Sequence, residues 1–137
     1  MAKQPRVFDS WALMAFLEDE PAAEQVQALI EQAQDLENGL LVTVINLGEV
    51  WYSLARTRTE SDADQAIKEI LGLGFQLVEI DWELANHAAK LKAKHKLAYA
   101  DCFAAALARQ RKLEIVTGDP EFKQLSSQVK IHWLPQN

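Results

Sequence analysis

The sequence predicts an α/β domain with a parallel sheet and helices on both faces, and three observations carry that expectation. Short β-rich runs at 6–9, 40–44, 76–80, 114–117 and 130–134 alternate with segments of helical periodicity. The run Leu40-Leu-Val-Thr-Val44 is continuously apolar or β-branched, as a strand buried on both faces requires. The stretch from Tyr99 to Arg111 is Ala, Leu and Phe nearly all round, the pattern of a buried helix.

Arg6-Val-Phe-Asp9 reads as a very short first strand that passes at once into a helix from Ser10 to about Leu17. Glu18-Asp-Glu-Pro21 breaks that helix, and Pro21 opens a second one with Ala22, Val26, Leu29, Ile30 and Ala33 on one face. Asn38-Gly39 signals the turn into strand 40–44. A helix starting at Asn46 presents Leu47, Val50, Trp51, Leu54 and Ala55, and another covers Ser61 to Leu71 and ends at Gly72 and Gly74. Strand 76–80 leads to a helix from Trp82 to about Lys94, whose Trp82, like Trp51, is read as core. The buried helix follows, then strand 114–117, a short helix from Pro120 and a last strand near Lys130 to Leu134.

A chain of 137 residues, 49% hydrophobic and 25% charged, fits one globular domain. No apolar run approaches the ~20 residues of a membrane span, and MAKQPRVFDS carries no signal-peptide core. The single cysteine, Cys102, excludes an internal disulfide, so a cytoplasmic location is expected; within its apolar helix it reads as a small hydrophobe. A net charge of −6 argues against a generic nucleic-acid patch, although the segment from Lys90 to Lys112 holds seven bases and only one acid, Asp101. Most of those bases read as solvated helix surface. His87, His95 and His132 have no ligand-type partner at metal spacing, and no Gly-rich phosphate loop follows any strand.

The informative residues are carboxylates. In a parallel sheet, ligands sit beyond the carboxyl ends of the strands. Asp9, Glu49, Asp101 and Asp119 fall there or on the following helix. Each has an ordinary structural explanation: Asp9 as a helix cap, Asn46 to Glu49 as a capping box, Asp101 against a helix dipole, Asp119-Pro120 as a cap with proline at the first helical position. Asp101 fits its explanation least, because a carboxylate in the first turn of a buried helix needs a partner. Taken together, four acids from separated segments at one sheet edge would repel one another without a cation. Oxygen ligands with no Cys or His suit Mg²⁺ or Mn²⁺, and such ions support phosphodiester hydrolysis.

At this point the chain resembles the PIN-domain ribonucleases, and within them the VapC-type toxins of bacterial toxin–antitoxin pairs. The resemblance spans nearly the whole chain and rests on VFDSWALMAFL, INLGEVWYSLAR, LAYADCFAAALA and IVTGDPEF. It implies a three-layer α/β/α fold with a five-stranded parallel sheet, catalytic and metal-binding roles for Asp9, Glu49, Asp101 and Asp119, and supporting hydroxyls at Ser10 and Thr117. It further implies an RNA substrate, a homodimer and a cognate VapB-type antitoxin. Trp11 departs from the small or polar residue common at its position, and Cys102 from the usual Ala. Arg56 and Arg58, with the Lys90–Lys112 region, are the candidates for guiding the RNA backbone.

Two further readings compete. A phosphatase or phosphotransfer domain would use Asp9 as its nucleophile, yet a haloacid-dehalogenase-like site wants a second Asp where Trp11 stands, and a receiver domain wants paired acids after the first strand. A PIN-like domain could also bind RNA or protein without cutting, against which stands the presence of all four acids.

Overall fold

The structure, a computed structural model, describes residues 3–136. Its elements run β1 (Arg6–Phe8), α1 (Ser10–Leu17), α2 (Ala23–Ala33), β2 (Leu40–Thr43), α3 (Val44–Thr57), α4 (Glu60–Gly72), β3 (Gln76–Val78), α5 (Trp82–Lys94), α6 (Tyr99–Arg111), β4 (Glu114–Thr117), a 3₁₀ helix (Pro120–Leu125) and β5 (Ile131–Trp133). The five strands are all parallel in the order β3-β2-β1-β4-β5. This is the three-layer α/β/α arrangement that the sequence predicts.

Alternation along the central strands divides the interior in two, because successive strand side chains point to opposite faces. Phe8, Leu40, Val42 and Val116 pack with α1 to α4. Val7, Leu41 and Ile115 pack with α5, α6 and the 3₁₀ helix. On the first face Phe8 meets Phe75 edge-on, with ring centroids 5.1 Å apart. On the second, every residue from Asp101 to Ala108 is buried, since the small alanines let α6 lie close to the sheet and to α5. Cys102 is fully buried there and its thiol is pushed up to about 11, mainly by burial, which makes it the inert hydrophobe expected.

Three local expectations change. Helix α3 begins at Val44 rather than Asn46, because the Thr43 side chain caps it by accepting from the Asn46 N–H at 3.0 Å. The capping box proposed for Asn46 to Glu49 is therefore absent. Trp82 is 75% exposed rather than core. The inner face of α5 is Leu84, Ala88 and Leu91, and Trp82 lies two residues, about 200° of helix rotation, before the first of them. Arg6 is 2% exposed inside β1, where it donates to Glu114 at 2.8 Å and to Gln32 at 2.5 Å. Among the described residues no helix is long and apolar enough to cross a membrane.

The sheet order places the decisive crevice. From β1 the chain proceeds outward through β2 to β3, then returns to lay β4 on the other side of β1. The carboxyl ends of β1 and β4 thus flank the topological switch point, where parallel sheets bind ligands. Asp9 follows β1 and Thr117 ends β4.

Candidate functional site

Asp9 sits at the floor of this crevice. One carboxyl oxygen caps α1 by accepting from the Ala12 N–H at 2.8 Å; the other accepts from the Thr117 hydroxyl at 2.5 Å. The Thr117 oxygen in turn accepts from the Asp119 N–H at 3.1 Å, so one hydroxyl joins the floor to the next acidic loop. Asp9 has no exposed surface, and its pKa is pushed up to about 8. Burial is the main cause; the Thr117 and Ala12 hydrogen bonds oppose it, and Asp101 and Asp119 add repulsion.

Above this floor lies a cleft of about 460 Å³ lined by Ser10, Glu49, Asp101, Asp119 and Glu121, with Trp11 and Met14 on one side. Glu49 is turned into it by the Ser10 hydroxyl, which donates to a Glu49 carboxylate oxygen. Asp101, 7% exposed, has its pKa raised to about 7, first by burial and then by repulsion from Asp119, Glu49 and Glu121. Asp119 caps the 3₁₀ helix by accepting from the Glu121 N–H at 2.9 Å, with Pro120 in its first turn. Its cap role and its place on the cleft coexist.

Of the residues expected from the sequence, the fold brings Ser10, Glu49, Asp101 and Asp119 to the cleft and sets Asp9 and Thr117 directly beneath them. Neither arginine lines the cleft. The Arg56 guanidinium lies 5.1 Å over the Tyr52 ring, and Arg58 pairs with Glu18. Trp11 lines the cleft, and a Cβ on Gly118 would come within 2.2 Å of its indole, so any side chain at 118 would displace the ring.

Two contributors escape sequence reasoning. Glu121, two residues beyond Asp119, reads as an ordinary first-turn acid, yet its carboxylate joins those of Asp101 and Asp119 with ligand oxygens within 4.8 Å of one another. Asn46 reads as a helix start. In the structure it is fully buried, accepts from the Thr43 hydroxyl at 2.5 Å and donates to the Ala100 carbonyl at 3.1 Å, tying α3 to the turn that presents Asp101. Asn46→Ala leaves the Thr43 hydroxyl and the Ala100 carbonyl short of a buried partner, and is expected to cost about 1–3 kcal/mol in urea unfolding. A cost below about 0.5 kcal/mol would remove Asn46 from the framework of the site.

Among the described residues, no Lys or Arg forms an ion pair with Asp9, Glu49, Asp101, Asp119 or Glu121. Close carboxylates without a protein cation, all hard oxygen donors, fit a divalent ion such as Mg²⁺ or Mn²⁺. Asp101, Asp119 and Glu121 are the residues that would hold it.

A family profile for the PIN domain matches residues 6–127. The chain belongs to the PIN domain family. No curated protein matches it in sequence. Solved structures similar to this PIN domain include VapBC2 from Rickettsia felis, bound to a promoter DNA fragment (TM-score 0.75, 11% identity, covering 96% of this chain and 100% of that one). They also include the sarcin-ricin loop cleaving toxin VapC20 of Mycobacterium tuberculosis (0.73, 15%, 95% and 98%). A third is FitAcB from Neisseria gonorrhoeae (0.70, 20%, 92% and 95%). At these identities the likeness is one of fold, and the PIN domain's own residues must carry the chemistry.

Proposed function

We propose that this PIN domain is a Mg²⁺- or Mn²⁺-dependent endoribonuclease and the toxin of a VapBC-type pair. The observation that carries the proposal is the cleft itself: Glu49, Asp101, Asp119 and Glu121 converge over buried Asp9 with no ion-paired cation among the described residues. A divalent ion bound there supplies a water of lowered pKa and offsets charge developing at phosphorus. Glu49, oriented by Ser10, would accept a proton from the attacking water. Thr117 holds Asp9 and the Asp119 loop in register, so the acids meet the ion as a fixed set.

The phosphotransfer alternative is weakened. Both Asp9 oxygens are engaged and the residue has no exposed surface, which supports hydrolysis by the cleft acids over attack by Asp9. The non-cleaving alternative differs from ours in one measurement. The purified protein is expected to cut single-stranded RNA with Mg²⁺ or Mn²⁺ and to stop on adding EDTA; binding without cutting under both ions would leave a recognition domain.

A VapB-type antitoxin, encoded beside this chain, is the proposed partner. Support comes from similar structures described as VapBC complexes from Rickettsia felis, Salmonella typhimurium and Haemophilus influenzae. A basic antitoxin side chain, best an Arg, would pair with the cleft carboxylates. The toxin is proposed to work as a homodimer in the cytoplasm. Sizing chromatography of the free protein and pull-down of the neighbouring gene product test the assembly.

A further inference from the structure

The catalytic cleft raises a problem that its own lining does not solve. Its charged wall residues are Glu20, Glu49, Asp101, Asp119 and Glu121, with no Lys or Arg among them. A polyanion cannot be held by that surface alone, so the cations that retain it must lie elsewhere.

They are concentrated at the other end of α6. One cleft of about 350 Å³ is lined by Lys90, Lys94 and His87 of α5 together with Arg109 of α6 and Gln128. A second, of about 300 Å³, adds Lys112 and Lys130 and shares Arg109 and Gln128 with the first. The two form one track with five cations and a single acid, Glu83. Lys90, Lys94, Lys112 and Lys130 form no ion pair among the described residues, and Arg109 donates to the neutral Gln128 amide at 3.2 Å. His87 is held below its ordinary pKa by burial first and then by Arg109 and Lys90, so it adds a neutral hydrogen-bonding edge at neutral pH. All five cations are solvent-exposed, so in a protein of net charge −6 they offer a local basic surface to an anion.

Position selects the anion. Asp101 lines the acidic cleft and Arg109 the basic track, on one helix eight residues apart, or about 12 Å along its axis. We propose that this track, from Lys90 and Lys94 through Arg109 to Lys112 and Lys130, is an RNA-backbone exosite that holds the part of the strand flanking the one in the acidic cleft. The proposal rests on the ribonuclease reading for its substrate but stands on separate residues.

Two surface variants test it, Lys90→Glu/Lys94→Glu/Arg109→Gln and Lys112→Glu/Lys130→Glu. Each is compared with wild type for binding a labelled long oligouridylate in EDTA, and for cutting long RNA and a uridine trinucleotide with Mn²⁺. Both variants are expected to lose about tenfold or more in affinity for the long strand, while trinucleotide cleavage changes less than about twofold. The triple variant's salt dependence should flatten by about 2, since each single-strand phosphate contact contributes about 0.7. Folded variants that bind and cut long RNA as wild type does overturn the exosite. So does an equal loss for both lengths, or a track that takes polyglutamate but not RNA. If long-strand binding falls as expected and yet wild type cuts nothing with either ion, the exosite stands and the ribonuclease assignment fails.

Discussion

Asp101→Asn is expected to reduce RNA cleavage by about a hundredfold or more while leaving the metal-free protein at least as stable as wild type at pH 8. The carboxyl of Asp101 lies in the first turn of a buried helix, and burial with Asp119, Glu49 and Glu121 raises its pKa to about 7. Above that pH the ionised side chain is both poorly solvated and repelled. Asn keeps the shape and removes the charge, so one substitution relieves the repulsion and deletes a proposed metal ligand. Thermal melts in EDTA at pH 5 and pH 8, beside cleavage assays with Mn²⁺, separate the effects. At pH 5 wild-type Asp101 is itself protonated, so the stability difference should nearly vanish; at pH 8 the variant should equal or exceed wild type. A loss of several kcal/mol at both pH values would make Asp101 a structural residue, and undiminished cleavage would remove it from the site.

The metal-free protein should lose stability steadily as pH rises from about 4 to about 8, and saturating Mg²⁺ or Mn²⁺ should flatten that decline. Asp9 carries a folded pKa of about 8 against an ordinary value of 3.8. Between those values the native state keeps a proton that the unfolded chain has released. More protons bound in the native state means that stability falls with rising pH, by roughly a few kcal/mol over the whole window. Asp101 adds in the same direction up to about pH 7. An ion that binds only the folded state offsets the loss in proportion to its occupancy. Asp9→Asn keeps an acceptor oxygen for the Ala12 N–H and should remove most of the slope, while Asp101→Asn should remove most of the metal-induced rise in Tm. A flat pH profile in EDTA would deny Asp9 its raised pKa, and an equal metal shift in wild type and Asp101→Asn would place the ion elsewhere.

Much of this molecule was legible before folding because it is locally determined. The alternation of β-rich and helical runs, the Asn38-Gly39 turn, the caps at Asp9 and Asp119-Pro120 and the buried face of α6 depend on residues a few positions apart. Asp101 stood out for the same reason, as a charge inside an apolar helix. What tertiary structure alone decided are pairings between distant residues. Glu49 abandons its expected capping box for Ser10, 39 residues away, and Asp9 meets Thr117 across 108. Asn46 reaches over 54 residues to Ala100. Glu121 enters the acidic cluster only because the 3₁₀ helix turns it toward Asp101, and Trp82 leaves the core because Leu84, not Trp82, begins the inner face of α5. Local sequence sets the periodicity of each element. Which partners two elements offer each other depends on the sheet order, and the order β3-β2-β1-β4-β5 gathers at one switch point side chains that the chain keeps far apart.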